Sequence, residues 1–197
     1  MIENLLHENC GIFAIFGAKK ASELTYLGLY ALQHRGQEAS GIVSSDGSRL
    51  YQRKVMGQVT EVFASKEVLS SLRGEMAIGH NRYSTSGGTD IRFNQPFVDY
   101  ENGFAFAHNG NLPVWEKLRK FLQERGVPTG KLNDSGMMSA AISQYVEDGL
   151  DLPEAIAAAY PLFEGAFSAV VMDKHRLIAF RDSRGIRPLS IGKLGHG

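Results

Sequence analysis

The sequence predicts a layered α+β domain in which two largely antiparallel sheets carry helices on their outer sides. Three observations lead there. Two hairpin signals, Asp46-Gly47 and Asn102-Gly103, each separate short runs of strand-forming residues. Helical patterns lie between and after these hairpins, several of them in pairs, which is too irregular an alternation for a doubly wound parallel sheet. The apolar run Cys10–Phe16 does not alternate with polar residues, so both of its faces are expected to be covered, as in the middle of a layered domain.

The elements follow in order. Cys10–Phe16 is a strand stopped by Gly17. Ala21–Gln33 reads as a helix with Leu24, Leu27, Ala31 and Leu32 as its buried stripe. Ile42–Ser45 and Leu50–Val55 form the first hairpin, and Val62, Phe63, Val68, Leu69 and Leu72 suggest a weaker helix. Met76–Tyr83 returns to strand character, and Phe97–Tyr100 with Phe104–His108 forms the second hairpin. Pro113–Arg125 is the clearest helix: Pro113 suits a first turn, Val114, Leu118, Phe121 and Leu122 form a stripe, and Gly126 suits the position just past the end. Further helices are expected over Ser135–Glu147, with Met138, Ala141, Ile142 and Tyr145 on one face, and from Pro153 to about Phe163. Gly165–Asp173, Leu177–Arg181 and Pro188–Ile191 read as strands.

Composition narrows the function classes. The chain has 197 residues, ample for one domain with a sizeable core, and balances 21 acidic against 21 basic side chains. Zero net charge removes the simplest argument for nucleic acid, which requires a basic surface. A single cysteine cannot form an internal disulfide, a Cys-based zinc site or an iron–sulfur cluster within this chain. Met1–Asn9 lacks the basic and apolar regions of a signal peptide, and no apolar run approaches a membrane span, so the expected compartment is the cytoplasm, with no membrane partner.

The lone Cys10 has two readings. In an apolar run it is most simply a small buried hydrophobe. It also stands at the start of the first core strand, behind a short polar leader. Cleavage of the Asn9–Cys10 bond would give it a free α-amino group titrating near pH 7.7–8.0, able to serve as general base beside its own thiol nucleophile. Three polar segments at strand or helix ends could complete a site: His34–Gln37, Gly79–Thr85 and Ala107–Asn111. Singly, Arg35 and Arg82 read better as surface or ion-pair residues, and Asn109-Gly110 as an ordinary turn.

Together these segments are specific. CGIFAIFG, LQHRGQEASGI, IGHNRYSTSGG followed by NQP, FAFAHNGNL and RDSRGIRPLSIG occur in this order from Cys10 to Gly192. The set resembles the glutaminase domain of the N-terminal-nucleophile (class II) glutamine amidotransferases. Gln37 after HRG, and RGIRPL, resemble the phosphoribosyl amidotransferases among them. The resemblance implies a four-layer αββα sandwich over residues 10–197 and a propeptide over residues 1–9. It implies that Cys10 attacks the side-chain amide of L-glutamine, and that Asn109 and Gly110 form the oxyanion hole. Arg82 would bind the α-carboxylate and Asp134 the α-ammonium. Gly36 and Thr85 would line the pocket, and Arg35 would hold the loop over the nucleophile. In such enzymes the ammonia passes to phosphoribosyl pyrophosphate on a second domain, in the first step of purine synthesis, and the full-length enzyme is expected to be a homo-oligomer.

Two departures bound that expectation. Asn133–Gly136 reads NDSG where the family commonly has SDTE, so Gly136 replaces an acid and puts the local helix start in question. The phosphoribosyl pyrophosphate loop of the second domain has no counterpart here, so the chain is expected to be truncated at its C-terminus. The resemblance then implies no cofactor in this chain. Mg2+ would belong to the missing phosphoribosyltransferase domain, and an iron–sulfur cluster, in members that hold one, to cysteines outside this region. A fructose-6-phosphate or aspartate amidotransferase, or an inactive truncated glutaminase-like domain, stands as the alternative.

Overall fold

Strands with two apolar faces need cover on both sides. The computed structural model, which describes residues 10–83, 91–193 and 195, supplies it with two four-stranded antiparallel sheets packed face to face. The first sheet has the order β1-β4-β2-β3, from β1 (Gly11–Phe16), β2 (Ala39–Ser45), β3 (Leu50–Met56) and β4 (Met76–Arg82). The second runs in chain order, from β5 (Phe97–Asp99), β6 (Phe104–Val114), β7 (Glu164–Met172) and β8 (Leu177–Arg181). Helices α1 (Ala21–Ala31), α2 (Val59–Val62) and α3 (Lys66–Ser71) cover the first sheet. Helices α4 (Glu116–Glu124), α5 (Asp134–Glu147) and α6 (Leu152–Ala159) cover the second.

Three apolar clusters mark the interfaces of this four-layer αββα sandwich. Ala21, Leu29, Ile42, Val59, Phe63 and Ala77 lie between the first helices and the first sheet. Val43, Met76, Ile78, Ala105, Ala107 and Val170 fill the space between the sheets. Phe104, Phe106, Leu118, Leu122, Met138 and Ile142 belong to the largest cluster, under α4–α6. The alternation along β4 and β6 is strict: Met76 and Ile78 face the other sheet while Ala77 faces α1, and Ala105 and Ala107 face the other sheet while Phe104 and Phe106 face α5.

Several local expectations need correction. Strand β1 is packed on both faces, as its apolar run implied, and only the exposure of its last residue, Phe16, at 62%, departs from that expectation. The buried face of α1 is Ala21, Ser22, Thr25 and Leu29, not the Leu24–Leu27–Ala31–Leu32 stripe, and Leu27 is 55% exposed. The reason is close approach. A Cβ on Gly28 would fall 2.4 Å from the Phe13 ring, so the helix seats on small residues that an apolar count overlooks. The weak helix over Val62–Leu72 is two short helices, α2 and α3. Pro113 and Val114 end β6 instead of opening α4, where the β6–β7 register shifts between Asn111 and Val114. A proline without an N–H is tolerated at such an irregular strand end. Pro188–Ile191 is not a strand; the Pro188 carbonyl accepts from Ser168 Oγ at 3.0 Å.

The corrected face of α1 is testable by chemical unfolding. Leu29→Ala should destabilise the domain by about 2–5 kcal/mol, whereas Leu27→Ala should stay within about 0.5 kcal/mol of the native chain. Equal effects would restore the apolar stripe read from the sequence.

Candidate active site

The antiparallel pairing of β1 with β4 sets Gly11 opposite Asn81, and so brings Cys10 to the end of the strand that carries Arg82. The Cys10 thiol lies 3.8 Å from the Tyr83 carbonyl. Arg35, in the 3-10 turn after α1, donates from Nε to the Cys10 carbonyl at 3.0 Å. That turn is held against β4. The Glu38 N–H donates to the Arg82 carbonyl at 3.1 Å, and Gln33 donates to the Gly36 carbonyl while its Oε1 accepts from the Val59 N–H at 2.8 Å. Gly36 has extended backbone; its need for glycine is steric, because a Cβ would lie 2.8 Å from the Arg82 carbonyl carbon and 2.9 Å from that of Asn81. Asn81 in turn donates to the Leu29 carbonyl at 2.7 Å and lies 3.2 Å from Ser40 Oγ, tying α1 to the sheet.

Arg82 donates to Asn94 Oδ1 at 3.3 Å, and its guanidinium lies 5.8 Å from the centre of the Phe93 ring. Three charges reach the thiol. Burial pushes the Cys10 pKa up from its ordinary 9.0; the Tyr83 carbonyl contact, Arg82 and Arg35 lower it, and Asp134 raises it. Two cations, Arg82 and Arg35, and one anion, Asp134, thus act electrostatically on the same thiol from β4, the 3-10 turn and α5.

The second sheet contributes Asn109 and Gly110, in the middle of β6, where they pair with Ser168 and Phe167 of β7. Asn109 shares the inward face with Ala105 and Ala107 by the two-residue strand period. Its side-chain Oδ1 is buried without a hydrogen-bond partner. Gly110 is required twice over: its φ is +155°, and a Cβ would lie 2.3 Å from the Ala166 carbonyl oxygen.

Asp134 opens α5. Asn133 caps that helix, its Oδ1 accepting from the Gly136 N–H at 2.8 Å, so the helix start is intact with glycine in place of the expected acid. The Ser135 N–H donates to Asp134 Oδ1 at 2.8 Å and fixes the carboxylate. Thr85 and the leader Met1–Asn9 lie outside the described residues.

Residues missed from the sequence surround this group. His80 and His108 are buried. Burial, with His108 and Arg82 nearby, holds the His80 pKa down at about 3. Burial also lowers that of His108, against the opposing charge of Asp134. Asn94, Gln95 and Ser135 hold Arg82, the His108 backbone and the His108 ring respectively. The NQP triplet just ahead of a strand and the hydroxyl after Asp134 were the available signals. Among the described residues, no group of three or more His, Cys, Asp or Glu is placed to hold a metal ion, and no helix is long and apolar enough to cross a membrane.

Two pH responses follow. With the leader in place, the rate of Cys10 alkylation should rise with a midpoint above 9.0. Asp134→Asn should lower that midpoint and Arg82→Met should raise it; an unchanged midpoint in both would separate these charges from the thiol. His80 is neutral in the fold but takes a proton when unfolded below its ordinary 6.5. The unfolded chain then binds more protons, and stability falls as pH drops from about 6.5 towards 3, by up to roughly 1.4 kcal/mol per pH unit. His80→Phe should make that fall shallower in denaturant titrations at successive pH values, and an identical slope would contradict the assignment.

The family model for the "Glutamine amidotransferase domain" matches residues 80–196. The chain is 42% identical over 191 residues to the amidophosphoribosyltransferase of Rhizobium etli, covering 96% of this chain and 38% of that protein. To the Bacillus subtilis amidophosphoribosyltransferase it is 39% identical over 193 residues, covering 96% and 40%. Among solved structures, it superposes on the glutamine phosphoribosylpyrophosphate amidotransferase from B. subtilis complexed with ADP and GMP with a TM-score of 0.82 at 37% identity, over 93% of this chain and 40% of the other. A structure titled as the allosteric regulatory enzyme of purine biosynthesis gives 0.85 at 38% identity, with the same coverage. The chain therefore spans about two fifths of the length of these curated relatives. With the family model matching more than half of its residues, this chain belongs to the glutamine amidotransferase domain family.

Proposed function

We propose that this domain hydrolyses glutamine to glutamate and ammonia, with Cys10 as nucleophile once Met1–Asn9 have been removed. What supports the reading is that Arg82, on the strand end paired with the Cys10 end of β1, and Asp134, at the start of α5, both act electrostatically on one thiol. A free α-amino acid needs both. Arg82 pairs with the α-carboxylate, whose two oxygens match a guanidinium fork, and Asp134 pairs with the α-ammonium. A simple amide brings no charge to meet either group, which favours glutamine over smaller amides.

The steps balance within the site. The Cys10 α-amine takes the thiol proton as sulfur bonds to the side-chain amide carbon. The negative charge that develops on oxygen is met by the Asn109 side-chain amide and the Gly110 N–H. Collapse breaks the C–N bond, the α-ammonium returns the proton to the leaving nitrogen, and ammonia departs from a thioester. Water, losing its proton to the amine, then attacks the thioester carbon, and glutamate leaves with the thiol restored. Arg35, bonded to the Cys10 carbonyl, keeps the new N-terminus at the end of β1. Gly36 lets the backbone of that turn lie against β4.

The names of the relatives extend the reading. We take the ammonia acceptor to be phosphoribosyl pyrophosphate, bound with its metal ion by residues of the longer enzyme outside this chain. The product would be phosphoribosylamine. The relatives reported above carry the phosphoribosyl name, which favours this acceptor over fructose 6-phosphate or aspartate.

Intact mass and glutaminase assays test the proposal. The active chain should begin at Cys10, and Cys10→Ala should release no glutamate. Asn109→Ala should lower kcat by about 100- to 1,000-fold, with a smaller effect on KM. Full glutamate release by Cys10→Ala would refute the mechanism.

A further inference from the structure

We propose that Gln95 is a positioning residue whose side-chain amide locks the oxyanion-donor strand to the helix that carries Asp134. The inference rests on the glutaminase reading above, because it assigns Gln95 a role through Asn109 and Asp134.

Gln95 is only 6% exposed, and all of its amide contacts are to buried groups. The His108 N–H donates to its Oε1 at 2.6 Å, and its Nε2 donates to the His108 carbonyl at 3.2 Å. The side chain therefore pairs with both polar atoms of residue 108, as a neighbouring strand would. Its Nε2 also donates to Ser135 Oγ at 3.1 Å. Ser135 Oγ lies 2.9 Å from His108 Nδ1, and the Ser135 N–H holds Asp134. One amide thus joins the residue before Asn109 to the residue after Asp134.

Gln95 is itself anchored from the opposite sheet. A Cβ on Gly41 of β2 would lie 2.1 Å from the Gln95 carbonyl oxygen and 3.1 Å from Pro96 Cδ, so the two backbones are in direct contact. Gln52 of β3 donates to the Pro96 carbonyl at 2.8 Å. The segment starts on the first sheet, which carries Cys10 and Arg82, and its side chain ends on the second, which carries Asn109. Paired β5 residues begin only at Phe97, opposite Phe106, so beyond the end of β5 the Gln95 side chain takes over the bonds a further strand residue would make.

Glutamine is the side chain that fits this role. A donor and an acceptor on one planar group match a peptide N–H and C=O; a carboxylate has no donor and methionine has neither. Removing the amide leaves the His108 N–H and carbonyl unpaired in a dry interior, and the strand can recover them only by moving. A displacement of about 1 Å at the oxyanion donor is enough to cost on the order of 100-fold in rate.

The test uses the 197-residue chain processed to Cys10, assayed for glutamate release, with thermal unfolding as the check on folding. Gln95→Met should fold and lower kcat by about 10- to 100-fold, with KM for glutamine raised only a few-fold. In an Asn109→Ala background the same change should cost clearly less than it does alone, because one of the two donors on the strand it positions is gone. Gln95→Glu keeps the shape. Buried, its carboxyl takes a proton well above the usual range, and the protonated acid again offers an acceptor and a donor. Its activity relative to the native chain should therefore rise several-fold as pH falls from about 8 to about 5.5. Native kcat in folded Gln95→Met, or fully multiplicative losses with Asn109→Ala, would overturn the inference. If Gln95→Met fails to fold, a flat Gln95→Glu to native ratio across that pH range overturns it. These results are read beside Cys10→Ala: persistent hydrolysis there means that the glutaminase reading has failed, whereas its loss together with an indifferent Gln95 means that only the positioning role has.

Discussion

The register of β1 on β4 is the constraint on which the site depends. Gly11 opposite Asn81 and Ile12 opposite His80 leave Cys10 level with Arg82 at the open end of the pair. Side chains alternate along both strands, and Ile12, Ala14, Met76 and Ile78 face the second sheet. Cys10 and Arg82 continue that same face. A slip of one residue would turn Cys10 towards α1, away from Asn109 and Asp134, while preserving most backbone bonds. The apolar residues between the sheets therefore fix the register and, with it, the position of Cys10.

The same face changes character along its length. At one end it is Val43, Met76, Ala105, Val170 and Met172, closely packed and apolar. At the other it is His80, Arg82 and Asn109, and several of those polar atoms are buried without partners, including both ring nitrogens of His80 and Oδ1 of Asn109. Unpaired buried polar atoms oppose folding. The outer clusters, particularly the one under α4–α6, offset that cost. The division of labour is physical: the outer interfaces supply stability, and one end of the inner interface is left polar for chemistry.

The sequence carried those features that are written locally. Asp46-Gly47 and Asn102-Gly103 turn where a hairpin needs positive φ, which Gly47 and Gly103 adopt. Gly126, also at positive φ, ends α4 as its position implied. What escaped the sequence depends on partners distant along the chain. The seating of α1 is decided by the clearance between Gly28 and the Phe13 ring, which no apolar period reports. Val114 scored as helix stripe because its neighbours do, but the long β6–β7 ladder claims it and leaves it 45% exposed. Asn109, Gly110, Arg82 and Asp134 could be named because a spaced set of motifs carries them. That Arg82, Asp134 and Cys10 act on one another belongs to the folded state alone. Gln95 and Ser135 stood within the quoted NQP and NDSG segments, and nothing local distinguishes an amide that pairs with a distant peptide from one that faces solvent.

Each layer contributes one part of the proposed chemistry. The first sheet brings the thiol and the cation, the second the oxyanion donors, and α5 the anion. No single element could hold all four, because a strand presents only every second residue to one face. The relative placement of the sheets must then be fixed within a fraction of an ångström, and the apolar half of the inner interface cannot do this alone, since it lies at the far end from Cys10. The Asn94–Pro96 segment crosses between the sheets at the polar end, with Asn94 on Arg82, the Gln95 backbone against Gly41 of β2 and its side chain on His108. Close packing transmits a displacement at one such contact to its neighbours instead of absorbing it. The geometry of the proposed nucleophile, carboxylate clamp and oxyanion donor is therefore one geometry, set where this short segment bridges the two sheets.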